Sequence, residues 1–242
     1  MITPDGSSPA IVLNQRGSSL GTLSTDEVRV DSGARDDLVD LESVGRKLPL
    51  AQNETIFSEG EAADRAYKII SGTVRLCKHL PDGRRQIAQF LFPGDYLSFI
   101  KLGDHSFSAE AVSDVVLLSI PHNQIELLCR KNPELRGRLF SMLSCRVRDI
   151  QNHLTMVGRQ TAKERVASFL VMLTQRQRQV GRSIELPMSR HDIADYLSLT
   201  TETVSRTLSH LKSRQIIACH SDLHHLEITN LPALQTLANC TE

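Results

Sequence analysis

The chain has 242 residues, 40% of them hydrophobic and 23% charged, with a formal net charge of zero. That is long enough for two ordinary domains with cores of their own. There is no run of about 18 or more apolar residues, and no basic segment leads into an apolar stretch at the start, so neither a membrane span nor a secretory signal is expected, and a cytoplasmic location is.

The five cysteines, Cys77, Cys129, Cys145, Cys219 and Cys240, are odd in number and contain no C-x-x-C pair, which argues for reduced thiols and against a disulfide framework. The charge is unevenly spread. Residues 1–45 hold 3 basic and 8 acidic groups, a net of −5, whereas residues 136–178 hold 9 basic and 2 acidic groups, a net of +7. An acidic leader ahead of a basic middle suits a chain that binds an anionic polymer and stays soluble, although a solvated basic helix face gives the same pattern.

Residues 1–37 are rich in Ser, Gly, Asp and Thr with scattered apolar residues, and are expected to form a mobile leader because they bury too little surface to offset ordering entropy. A short helical pattern begins near Asp37 with Leu38, Leu41 and Val44. From about Gln52 to Pro121 the period changes to short β-like runs, Ala66–Ile70, Thr73–Lys78, Gln86–Phe92 and Phe107–Ile120. Turns at Ser58–Glu61, Ser71-Gly72, Pro81–Gly83 and Pro93–Asp95 break them, which predicts an antiparallel roll or barrel. We assign residues 38–131 to this β-roll, a sensor-type domain. Its Pro81–Arg85 turn is expected to be exposed and available for a protein contact.

Asn132-Pro133-Glu134 reads as a helix start: an N-cap side chain, Pro at the first position and an acid in the first turn. Over 132–158 the apolar residues Phe140, Leu143, Val147, Ile150, Leu154 and Val157 recur at spacings of 3, 4, 3, 4 and 3. Such a narrow stripe with charged flanks predicts a seam that buries itself against a second copy, with packing on the chain's own roll as the alternative.

Residues 159–242 carry the informative motif. A capping-box pattern at Thr161–Glu164 opens one helix, and Ser189-Arg-His-Asp192 opens another whose Ile193, Ala194 and Leu197 share a face. After Ser198-Leu199, Thr200 or Thr201 caps a further helix with Val204, Leu208 and Leu211 turned inward. Two short helices so spaced predict a helix-turn-helix, whose second helix enters the DNA major groove. Its outward residues then include Glu202, which can accept from cytosine, Arg206, which can donate twice to guanine, and Ser205, which can reach a neighbouring base. Thr201, Thr203, Lys212 and Arg214 suit phosphate contacts, which position without specifying. Residues from Ile216 to Ile228, broken at Ser221-Asp222, read as a hairpin wing. A helical hairpin serving only protein contact is the competing reading. No nucleophile elbow, P-loop, HExxH or Rossmann signature occurs, so an enzyme is not expected.

Over about residues 40–230 the chain resembles the Crp/Fnr superfamily, with the same order of β-roll, long helix and winged helix-turn-helix, an α+β architecture. Glu202-Thr-Val-Ser205-Arg206 is similar to the E-x-x-S-R signature of the Fnr and FixK branches, which implies base reading by Glu202, Ser205 and Arg206 at TTGAT-type inverted repeats. Gly94-Asp95 and Thr161–Arg165 match the family's usual positions. The resemblance implies a homodimer acting on double-stranded DNA and RNA polymerase.

The nucleotide-contacting Glu and Arg of the cyclic-AMP branch correspond here to Phe99 and Phe107, an apolar pair that cannot hold a ribose hydroxyl or cyclic phosphate. The iron–sulfur cluster of the Fnr branch needs about four thiolates, yet no cysteine precedes Cys77. An acidic helix residue of that branch is matched by Ile150, which favours a dimer formed without ligand. These substitutions point to the FixK-like branch, whose members typically activate microaerobic respiration, denitrification or nitrogen-fixation genes, and no cofactor is expected. A haem- or thiol-dependent regulator of the same superfamily is the alternative, with Cys145, beside Arg146 and Arg148, the thiol best placed for it. A metal site at Cys219, His220, His224 and His225 is disfavoured, because a wing turn rarely converges four ligands.

Overall fold

The computed structural model describes residues 41, 43–99, 103–177, 183–219 and 225–239. The leader expected over residues 1–37 and the wing turn at Ser221-Asp222 lie outside the described residues.

The N-terminal part is a β-roll of two four-stranded antiparallel sheets. One runs in the order β1 (Arg46–Leu50), β8 (Val115–Pro121), β3 (Arg65–Ser71), β6 (Tyr96–Leu97). The other runs β2 (Thr55–Phe57), β7 (Ser108–Ala111), β4 (Val74–His79), β5 (Arg85–Leu91). Side chains alternate across each strand. Val115 and Leu117 therefore join Phe57, Ile69, Val74, Leu91 and Leu97 in one core. Leu118 and Ile120 of the same strand face away and are covered by Ile125 of helix α1 (His122–Lys131) and by Leu135 and Leu139 of α2 (Pro133–Arg159). Buried on both faces, β8 is a nearly continuous apolar run. Gly72 closes the β3–β4 hairpin at φ +84°, and a Cβ there would come within 2.2 Å of the Asp114 carbonyl oxygen, so no other residue fits.

The run Phe107–Ile120 is two strands rather than one. The chain turns at Val112–Asp114, where Ser113 Oγ accepts from the Thr73 amide at 3.1 Å and Asp114 Oδ1 from the Gln52 amide at 3.0 Å. Short polar side chains that satisfy neighbouring amides end strands in this way. Helix α1 was not anticipated: it starts at Pro121 with no side-chain cap and no acid in its first turn. By contrast, α2 opens as its sequence indicates, with Asn132 Oδ1 accepting from the Leu135 amide at 3.1 Å.

The C-terminal part comprises α3 (Ala162–Gln177), β9 (Ser183–Glu185), α4 (Arg190–Leu197), α5 (Thr201–Ser213), β10 (Ile217–Cys219), β11 (His225–Ile228) and α6 (Leu231–Asn239). The expected two-stranded wing gains a third strand, because β9 pairs with β11. Helix α6 was also unanticipated, although Asn230 caps it by accepting from the Ala233 amide at 3.0 Å. The core of this part extends into the roll: Ile87, Phe90 and Phe92 are buried with Val166, Phe169, Leu170 and Leu173 of α3 and with Tyr196 of α4.

At this junction His153 of α2 stacks on Tyr196, ring centroids 4.3 Å apart, and burial pushes the Tyr196 hydroxyl up to about 12. Burial also holds the His153 imidazole below its ordinary value, and its Nδ1 has no hydrogen-bond partner among the described residues. The folded state thus favours the neutral ring. Stability contributed by this residue is complete above the unfolded value of about 6.5 and declines as pH falls below it, where the unfolded chain takes up the proton first. We expect His153→Phe, which keeps the stack, to flatten the dependence of the unfolding midpoint on pH below about 6.5; urea titrations at several pH values check this, with parallel curves for wild type and variant as the contrary result.

Candidate nucleic-acid interface

Helices α4 and α5 form the helix-turn-helix, and local capping sets both starts. Ser189 Oγ accepts from the Asp192 amide at 3.0 Å while Asp192 Oδ2 accepts from the Ser189 amide at 3.1 Å, a reciprocal capping box. Between the helices Ser198 adopts the left-handed conformation, φ 53°, and Thr200 Oγ1 then accepts from the Thr203 amide at 3.2 Å to open α5. Arg165 of α3 clasps the turn from behind, its guanidinium donating to the carbonyls of Leu197 (3.0 Å), Ser198 (3.4 Å) and Gln160 (2.9 Å).

Val204, Leu208 and Leu211 are buried, together with Thr207. On the opposite face Glu202, Ser205, Arg206 and Ser209 are exposed at i, i+3, i+4 and i+7. No described side chain engages Glu202, Ser205 or Arg206, so an acceptor, a hydroxyl and a forked donor stand together near the start of one helix. Thr201, Lys212 and Arg214 are exposed as well. Thr203 is half-buried and its hydroxyl lies 2.9 Å from that of Thr200, so it serves the cap.

The basic segment 136–178 is in part committed elsewhere. Arg146 donates to the Tyr96 carbonyl at 2.7 Å, Arg165 to the turn, and Arg176 to Asp95 at 3.1 Å and to Asp149 at 2.5 Å. These cations hold the fold together and are not a free anion-binding face.

Along α2, a rod of 27 residues and about 40 Å, Phe140, Val147, Ile150 and Leu154 are 72, 54, 55 and 72% exposed. Leu143 between them is half-buried. Val157 leaves the stripe, because the end of α2 packs on the chain's own core, where Met156 is buried. Four large apolar side chains in one row on a helix are an unfilled packing surface.

An ionic cluster that sequence reasoning missed joins the roll to α4. Asp192 Oδ1 accepts from Arg75 Nη1 at 3.2 Å and Arg85 Nη2 at 2.5 Å, Arg75 Nε donates to Glu110 at 2.8 Å, and Arg85 Nε donates to Asp195 at 2.8 Å. The Pro81–Arg85 turn is therefore exposed only as far as Arg84; Arg85 is drawn onto α4 by two carboxylates. Burial opposes ionisation of Asp192, but hydrogen bonds from Ser189 and the charges of Arg75 and Arg85 outweigh it and hold the carboxyl below its ordinary value.

A winged helix-turn-helix carried on a β-roll and one long helix defines a DNA-binding transcription regulator. Residues 164–237 match the Crp-like helix-turn-helix domain and residues 47–132 the cyclic nucleotide-binding domain. The chain is 41% identical over 185 residues to the nitrogen fixation regulation protein FixK of Rhizobium meliloti, covering 76% of this chain and 83% of that protein. It is 36% identical over 202 residues to the FixK of Bradyrhizobium diazoefficiens, covering 82% and 85%. Its fold matches FixK2 from Bradyrhizobium japonicum with a TM-score of 0.78 at 35% identity, over 82% of this chain and all of that one. The chain belongs to the Crp/Fnr superfamily, in its FixK-like branch.

The depressed Asp192 carboxyl carries a sign. Its ionised form stabilises the fold fully above the unfolded value of about 3.9, and that contribution is lost as pH falls through the lower folded value. We expect Asp192→Asn to lower stability by about 1.5–3 kcal/mol at neutral pH, since it weakens the charged hydrogen bonds to Arg75 and Arg85 while Glu110 and Asp195 still pair with them, and the gap to wild type to narrow below about pH 4; denaturant unfolding across that range measures it.

Proposed function

We propose that the protein is a homodimeric activator that reads TTGAT-type inverted repeats with α5 and controls nitrogen-fixation or microaerobic genes through RNA polymerase. The observation that carries the reading is the open face of Glu202, Ser205 and Arg206 on a helix capped and buttressed from behind. Glu202 accepts from cytosine N4, Arg206 donates to guanine O6 and N7, and Ser205 contacts a neighbouring base. Thr201, Lys212 and Arg214 contact phosphates, with Thr203 supporting the cap. A regulator that works on the chromosome acts in the cytoplasm.

Dimerisation is supported by the open row Phe140, Val147, Ile150 and Leu154, with Leu143 beneath it. Two such helices side by side bury four exposed apolar groups each, and Ile150 against its symmetry mate favours pairing without a bound ligand. Control without cyclic nucleotide is supported by Phe99, which lies edge-on to Tyr96 at 5.4 Å, and by Phe107, whose ring faces the Lys78 ammonium at 5.9 Å. Neither phenyl ring can hold a ribose hydroxyl or a cyclic phosphate. The gene class rests on the FixK relatives, and activation on the transcriptional activatory protein AadR of Rhodopseudomonas palustris, 36% identical over 186 residues.

Arg206→Ala is expected to weaken operator binding by about 1–3 kcal/mol per half-site at fixed salt, with the dimer intact; equal affinity of variant and wild type for a TTGAT palindrome in a gel-shift titration refutes base reading by this helix. Ile150→Asp is expected to sediment as a monomer, because like charges meet at the seam; an unchanged mass in analytical ultracentrifugation removes the basis for the proposed interface.

A further inference from the structure

The clamp on α4 has a geometry suited to more than holding the fold. Asp192, Asp195 and Tyr196 lie at i, i+3 and i+4, on the face of α4 turned to the roll, while Ile193, Ala194 and Leu197 are buried in the core of the winged domain. On the roll side, Arg75 and Arg85 come from the paired strands β4 and β5, and Gln86 adds a hydrogen bond to the Asp195 carbonyl at 2.8 Å. All four charged side chains are nearly closed to solvent, with exposures of 11% for Arg75, 17% for Arg85, 7% for Asp192 and 13% for Asp195. Tyr196 is wedged beside them against Phe90 of β5 at 5.2 Å, Phe169 of α3 at 5.6 Å and His153 of α2 at 4.3 Å.

Buried ion pairs add little net stability over apolar packing, but a guanidinium fork accepts few orientations, so they select one arrangement of the groups they join. Here the groups joined are the roll, which is continuous with the long helix, and α4, on which α5 packs. A dimer that reads an inverted repeat must present two recognition helices at a separation and rotation matched to the duplex, where each base pair added between half-sites turns one of them by about 35°. The angle of α5 to the long helix thus decides which spacer is read.

We propose that Arg75 and Arg85 are positioning residues that set the half-site spacing selectivity of the operator, by fixing α4, and through it α5, to the roll. The inference rests on the DNA-reading dimer proposed above. Neither arginine lies on α5, so their loss leaves the base-reading side chains in place. Without the fork, α4 is held to the roll chiefly by the apolar packing around Tyr196, which is less strict in orientation, so the reading helices accommodate half-sites set closer or further apart.

The test uses the full-length dimer and a set of duplexes with two TTGAT half-sites as an inverted repeat, the spacer varied one base pair at a time. Wild type is expected to favour one spacer over its neighbours by about tenfold or more, the scale of one lost base contact. Arg85→Gln is expected to reduce that ratio to about threefold or less, losing affinity for the best spacer while keeping it for the neighbours. Asp195→Ala, which removes the acceptor of Arg85 Nε, is expected to lower the ratio in the same direction and carries the measurement should Arg85→Gln fail to fold by circular dichroism. A wild-type preference retained in the folded variants overturns the inference, as does a wild type that binds every spacer equally. Failure of wild type to bind any of the duplexes instead sinks the DNA-reading assignment itself.

Discussion

The structure turns on the two oxygens of one carboxylate. Asp192 Oδ2 completes the cap of α4 with Ser189, and Oδ1 receives Arg75 and Arg85 from the roll. One side chain thereby starts the first helix of the helix-turn-helix and anchors that helix to the neighbouring domain. A carboxylate buried this deeply is tolerable only because every lone pair it presents meets a donor. The local and long-range structure are consequently coupled: the cap is formed by the same ionised group that the clamp requires.

The remaining elements are arranged around that anchor. Sheet β2-β7-β4-β5 supplies the arginines on one face and core residues on the other, the aromatic group around Tyr196 seals the junction, and α3 reaches forward through Arg165 to hold the turn before α5. The outward face of α5 is left with little to do for stability. Its exposed acid, hydroxyl and guanidinium contribute nothing to the core, which is the expected condition of residues kept for contact with another molecule.

What was legible in the sequence is what local chemistry encodes. Asn132-Pro133-Glu134, the Ser189–Asp192 box and the Thr200-Thr201 pair each announce a helix start through bonds spanning three residues; the structure has the first two as the sequence indicates and selects Thr200 from the pair. Helix α1 carries no such signal, since it follows β8 directly through Pro121, and it was missed. Phe107–Ile120 looked like one run because Val112 bridges two apolar stretches, while the turn depends on amides of distant residues, Thr73 and Gln52. The clamp was invisible for the same reason: its partners lie 117 and 107 positions apart, and periodicity says nothing about pairs at that distance. The basic middle segment misled in the opposite sense, because charge counting does not distinguish a cation facing solvent from one spent on an internal carbonyl or carboxylate.

The clamp holds more acids than guanidinium groups. Three carboxylates, Glu110, Asp192 and Asp195, share two guanidinium groups, and His191 Nε2 lies 3.6 Å from the Asp195 carboxylate. Because each guanidinium keeps a second acid partner, the junction tolerates the loss of a carboxylate better than the loss of an arginine, which leaves a buried acid unanswered.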